Sequence, residues 1–445
     1  MNLSQFSKNI NLIKVLALGT FALQSCSSNI KTESSSPLKN APLNVSNNYI
    51  QIATGQVKLY DEKGKEISNI APNEALYGQD ANYLKGKKMA FKNNNDGTIT
   101  DQNTGLIWQE IPTKKGFDWN DAEKYTEDLK LGGYDDWRMP TAKELFSISD
   151  FNSGWPYIDT AYFSLVNNEF IDTSEQYWSS NKYVGHTEEG GFTAAFGVNY
   201  ATGHIKAYAG EAIKNSIEQK GLPSGEENGQ RSGGGGGKGG GRQKPDSNQE
   251  PNSNANRPSG NPNLKHVRAV RGTVYGINDF VDNKNGTITD QATGLMWSTN
   301  DSEKGLDWKN ALQYAENSNL AGYTDWRLSN VKELQGIVDY SYAPDAKKLL
   351  QDGPAINPLF STTEISNENG ERDYPYFWTS TSARFQKGTP YYYAWYVAFG
   401  KAVNKEGKDF HGAGAVRFGP KDEKGPASQD AERYYNYVRL VRDVN

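Results

Sequence analysis

The chain has 445 residues, 36% of them hydrophobic and 23% charged, with a formal net charge of −5, so it reads as a water-soluble body with material for roughly two to four domains. Its 26 Tyr, 17 Phe and 10 Trp concentrate the hydrophobicity in aromatic rings, which excludes a wholly disordered chain. The acidic balance lacks the basic field that phosphate backbones require, which excludes nucleic acid as a general partner.

In chain order, residues 1–25 carry Lys8 and Lys14, no acid, and an apolar run from Val15 to Leu23. That pattern is a secretory signal, and the run falls short of the roughly 20 residues that span a bilayer. Leu23-Gln24-Ser25-Cys26 resembles the lipobox of bacterial lipoproteins. The resemblance implies cleavage before Cys26 and acylation of that residue, palmitate included, with several acyl chains giving stable anchoring. An ordinary cleaved signal leaving an incidental thiol is the other reading. Cys26 is the only cysteine, so the body forms no internal disulfide. Residues 26–50 are a Ser/Asn-rich flexible tether. The expected location is the cell envelope, lipid-anchored at the outer membrane, with Ser27 after the cysteine compatible with that membrane.

An internal repeat follows. Residues 97–150 align without a gap to residues 286–339, with 28 of 54 positions identical. Tyr177-Trp178-Ser179-Ser180 pairs with Phe377-Trp378-Thr379-Ser380, and Val267 to Arg271 pairs with Val438 to Arg442. Residues 221–263 are rich in Gly, Asn, Pro and Ser and have no period. Because the closing strand of the first copy comes after that segment, it is expected to be a disordered insertion within the first domain rather than a linker. The domains are therefore 51–272 and 273–445.

Each copy opens with turn pairs, Asp96-Gly97 and Asn285-Gly286, that predict a β-hairpin. Asp118 and Asp307 are predicted N-caps of helices running to about 131 and about 320. Thr141 to Glu144 and Asn330 to Glu333 are capping boxes opening a second helix. The Trp178 and Trp378 segments, the run Tyr391 to Phe399 and the closing VRxVR segments predict strands. Hairpin, two helices and a mainly antiparallel sheet make each unit α+β.

These motifs resemble a known family. TDxxTGLxW, GYxDWR followed by KEL, WTST, the His411-Gly-Ala-Gly segment and YNYVRLVR at 436–442 are similar to the bacterial Lcl C-terminal domain. The lead-in around Thr54-Gly55-Gln56, Tyr60-Asp61 and Tyr77 to Asp80 fits too. The resemblance implies two tandem C-type-lectin-like domains in a surface protein that binds polysaccharide or mediates adhesion.

Aligning Gly97 with the glycine of an EF-hand loop puts Lys92 and Asn103 where carboxylates are needed, so these segments are read as hairpin turns rather than calcium loops. Trp119-Asn120-Asp121 spells a lectin calcium motif but sits at a helix start, and its counterpart Trp308-Lys309-Asn310 carries a lysine. No metal and no cofactor are expected. The four histidines, 186, 204, 266 and 411, lack zinc spacing, and no nucleophile motif occurs. The protein is therefore expected not to be an enzyme.

Trp108, Trp137, Trp297 and Trp326 are expected to be structural, with Arg138 and Arg327 paired to carboxylates or capping carbonyls. The candidate ligand-binding residues are Tyr391, Tyr392, Tyr393, Trp395, Tyr396 and His411. Strand alternation puts Tyr391, Tyr393 and Trp395 on one face and Tyr392 and Tyr396 on the other. One face is expected in the core, and the other is either a stacking platform for sugars or is covered by the 404–434 loop. The expected function is non-enzymatic adhesion or polysaccharide binding, the alternative a protein-interaction or scaffold module of an envelope complex.

Overall fold

The computed structural model describes residues 49–152, 154–168, 171, 173–211, 263–425, 430–431 and 433–444. The expectations for the signal peptide, Cys26, the tether up to residue 48 and nearly all of the glycine-rich segment lie outside the described residues.

A lead-in comes first. Leu59–Tyr60 (β1) and Glu66–Ile67 (β2) form a small antiparallel pair, followed by the one-turn helix Asp80–Tyr83 (α1). In the first repeat, Phe91–Asn93 (β3), Thr98–Asp101 (β4) and Ile107–Gln109 (β5) form a meander. Its first turn is possible because Asn95 and Gly97 take left-handed φ values of 60° and 84°, which these two residue types tolerate. Helix Trp119–Asp128 (α2) starts where the Asp118 carboxylate accepts the Asp121 N–H at 2.9 Å, so Trp119 to Asp121 is a capped helix start. Helix Ala142–Ser147 (α3) opens with the Thr141–Glu144 capping box. Gln176–Lys182 (β6), Ala195–Asn199 (β7) and Ile205–Tyr208 (β8) follow, and Val270–Arg271 (β9) returns to pair with β5.

The second repeat replays this order. Phe280–Asp282 (β10), Thr287–Asp290 (β11) and Leu295–Ser298 (β12) form the meander, and Trp308–Glu316 (α4) is capped by Asp307. Arg327–Leu328 (β13) precedes helix Val331–Gly336 (α5), which has the Asn330–Glu333 box. Ile365–Ser366 (β14) and Arg372–Asp373 (β15) make a minor hairpin. Tyr376–Ala383 (β16), Tyr393–Ala398 (β17) and Val416–Pro420 (β18) are the long strands, and Leu440–Asp443 (β19) closes against β12 and β13. Short helices and antiparallel sheets make the architecture α+β. Helices α2 and α4 stop earlier than the apolar spacing predicts, because Leu129 is already extended and Asn317 has left the helical region.

The repeats share one sheet. Its order is β16-β17-β18-β8-β7-β6, with β18 and β8 joined antiparallel through Val416 and Ile205. Val198 pairs with Ile205 in one copy and Val397 with Val416 in the other, so the joined residues are equivalents and the junction is a pseudo-two-fold axis. Helices α3 and α5 also pack together. The main core is continuous across the copies, with Trp395 of β17 edge-on to Phe151 and Tyr157 of the first repeat at centroid distances of 5.3 and 5.5 Å.

The lead-in straps both copies. The Gln56 carboxamide donates to the Ser382 carbonyl at 2.9 Å and accepts from its N–H at 2.8 Å, while the Thr54 carbonyl accepts the Phe151 N–H at 2.8 Å. Buried Asp80 accepts from Thr54 and Thr381, each at 2.7 Å.

Candidate functional site

Each tryptophan expected to be structural is buried. Arg138 forks onto Glu144 at 2.7 and 2.6 Å, and Arg327 onto Glu333 at 2.7 Å through both nitrogens. The same glutamates close the capping boxes, accepting the N–H of Thr141 and Asn330. One carboxylate thus orients the arginine and starts the helix.

Within β17, Tyr393 and Trp395 alternate with Tyr396 as expected, but Tyr392, expected on the face of Tyr396, precedes the strand and packs with Trp395's core, and the run has no open face. Tyr391 stacks on Tyr60 at 4.0 Å, Tyr393 packs on Phe418 at 4.9 Å, Trp395 is in the shared core, and Tyr396 lies parallel to Tyr376 at 4.5 Å. Tyr392 is half-buried against the same core. A sugar-stacking platform is therefore not formed here. The first repeat and helix α5 cover one face, and helix α4 together with Ala415, Asp430 and Ala431 of the 404–434 loop covers the other.

His411 stands elsewhere, in a cleft of about 580 Å³ over the β8·β18 junction. The first repeat contributes His204, Lys206, Tyr208 and Asn199, and the second contributes Phe410, His411, Arg417, Phe418 and Asp430. Registers make Lys206 and Arg417 equivalent positions on the two central strands. His411 is placed by the bend at Gly412 and Gly414, whose φ values of 83° and 102° favour glycine.

Asp430 organises the cleft's floor. Its carboxylate accepts from Arg417 Nε at 2.9 Å and from a terminal guanidinium nitrogen at 3.1 Å, from His411 Nε2 at 2.7 Å and from the Tyr396 hydroxyl at 2.8 Å. Burial alone would raise this carboxyl, but Arg417 and His411 hold it well below the usual carboxylate range. Burial, reinforced by the Arg417 cation, pushes His411 down to about 4, so its imidazole is neutral at pH 7. The Nε2 proton then goes to Asp430, and Nδ1 keeps a lone pair with no hydrogen-bond partner among the described residues. His204, driven well below its ordinary value by burial and Arg417, leaves Nε2 equally unpartnered. Lys206 is lowered by burial, an effect that Glu189 at 3.5 Å partly offsets.

A family model for the Lcl C-terminal domain matches residues 97–217 and 286–418. The chain belongs to the Lcl C-terminal domain family. No curated protein and no solved structure matches it. Both Lcl segments supply the cleft, with His204 and Lys206 from the first and His411, Arg417 and Phe418 from the second, while Asp430 lies beyond the second segment.

Of the candidate ligand-binding residues, only His411 lines the cleft. His204, Lys206, Arg417 and Asp430 were missed. The ungapped repeat alignment ends before β8 and β18, so nothing in it marked Lys206 and Arg417 as partners.

Proposed function

We propose that this is a non-enzymatic cell-envelope lipoprotein, anchored at the outer membrane through Cys26, whose two C-type-lectin-like repeats bind polysaccharide in one shared cleft. The observation that carries the reading is the cleft lining. Tyr208, Phe410 and Phe418 stand beside the carboxamides of Gln176, Asn199 and Asn404 and the Lys206 ammonium. Sugars offer apolar C–H faces to aromatic rings and hydroxyls that both donate and accept, which suits this mixture. Asp430 is held by Arg417, His411 and Tyr396 together, a fixed arrangement suited to positioning a ligand.

A glycan array probed with the mature chain tests this. Saccharide capture is expected, unchanged by EDTA and weakened about tenfold by Lys206→Ala or Phe410→Ala. A silent array alongside specific capture of an envelope protein would sink the reading and favour the scaffold alternative. For the anchor, Cys26→Ala is expected to release the protein from membranes or leave the precursor unprocessed.

A further inference from the structure

We propose that the 343–353 loop is a membrane-contacting tip that enters the headgroup region of an anionic bilayer through Leu349 and Leu350. These two side chains are 83% and 90% exposed, whereas the next most exposed large hydrophobic residue described, Val57, is at 60%. They are neighbours in the 3-10 turn Leu349–Gln351, directly after Lys347 and Lys348. Two adjacent leucines held in water forgo the free energy of burial, and such a feature marks an interaction surface.

The loop is tied at its base. The Ala343 N–H donates to the Gln351 carbonyl at 3.0 Å, and the Ala343 carbonyl accepts from Gly353 at 3.2 Å. One terminal nitrogen of Arg372 donates to both oxygens of Asp352, at 2.6 and 2.7 Å, and the same carboxylate accepts the Asp345 N–H at 2.9 Å. A tip held in this way loses little conformational entropy on docking.

Charge selects the occupant. Lys348 has no carboxylate partner among the described residues, and Lys347 lies 3.8 Å from the ring centre of half-exposed Phe192, which extends the apolar tip. The nearest loop acids are already matched, Asp345 to Lys401 at 2.5 Å and Asp352 to Arg372. An apolar point flanked by unmatched lysines complements anionic headgroups above an acyl core. Cys26 is 23 residues before Tyr49, at most about 80 Å of extended chain, so acylation there keeps the body near a bilayer. That last argument rests on the proposed anchor; the patch itself does not.

The test uses the whole mature polypeptide from residue 26 with Cys26→Ser, so that it carries no acyl chain. It is expected to sediment with phosphatidylcholine–phosphatidylglycerol vesicles more than with phosphatidylcholine alone, and less in high salt. Replacing Leu349 and Leu350 together by Ser should weaken sedimentation by about tenfold or more. A Leu350→Trp chain should show blue-shifted difference emission with anionic vesicles. Equal sedimentation of the parent and double-serine chains, or an unshifted tryptophan, overturns the proposal. So does a concentration-dependent dimer abolished by the double substitution, which would make a second copy of the chain the occupant. With no acyl group present, none of these outcomes bears on the Cys26 anchor or on saccharide capture.

Discussion

Ile205 and Val416 are paired across the middle of the six-stranded sheet, and each is the other's equivalent in the opposite repeat. The inner edge of each three-stranded half is thereby closed by the other half, leaving neither edge free for stray pairing.

One consequence is cooperative unfolding. Trp395 belongs to the second repeat but packs edge-on against Phe151 and Tyr157 of the first. Trp395→Ala should cost about 3–5 kcal/mol and lower a single calorimetric transition. Two transitions, only one of them displaced, would show that the repeats fold independently.

The two Arg–Glu forks should differ in worth. Both glutamates are buried, at 1% for Glu333 and 0% for Glu144, but Arg327 is 3% exposed and Arg138 24%. Removing Arg327 strands a buried carboxylate, at a cost of about 3–5 kcal/mol. Water can replace part of Arg138, so Arg138→Ala should cost less in urea denaturation. Equal losses would contradict the burial argument.

The cleft should carry a pH signature. His411 sits at about 4 when folded, against an ordinary value near 6.5. Its contribution is fully present above about pH 6.5 and is lost as pH falls through 4, because the unfolded chain takes up the proton first. Asp409, raised by burial to about 7, works in the opposite direction over part of this range. The informative quantity is therefore the difference between the parent and His411→Gln. From pH 6.5 to 4 the parent should lose up to about 3 kcal/mol more than the variant, as read by denaturant titrations. Parallel pH profiles would mean that the imidazole is not held neutral.

Residues 212–262 should be removable. Asn263 donates to the Glu211 carbonyl at 3.3 Å, so the chain ends flanking that segment already meet. Closing a long loop costs only logarithmically more than closing a short one. A short Gly/Ser bridge should leave the melting temperature nearly unchanged. A large drop would assign the segment a structural role.

Local chemistry was legible in the sequence. Asp118, Asp307, Thr141 and Asn330 cap helices as their types and spacing predict, and Arg138 and Arg327 find carboxylates. Alternation correctly divided Tyr393 and Trp395 from Tyr396, but it cannot say what packs on each face. Here the covering groups, Tyr60 and Phe151 among them, come from distant parts of the chain. The cleft was hidden for the same reason. It exists only after β8 meets β18, and Asp430 joins from a further loop.

The pseudo-axis through Ile205 and Val416 also affects direction. Two identical subunits meeting on a dyad must show the same side chain on both sides. A chain carrying both copies is free of that requirement, and here the equivalent of Lys206 is Arg417, that of Tyr208 is Gly419 and that of His204 is Ala415. A linear saccharide of the kind proposed, lying across this axis, would meet different groups at its two ends, and reversing it would exchange those contacts.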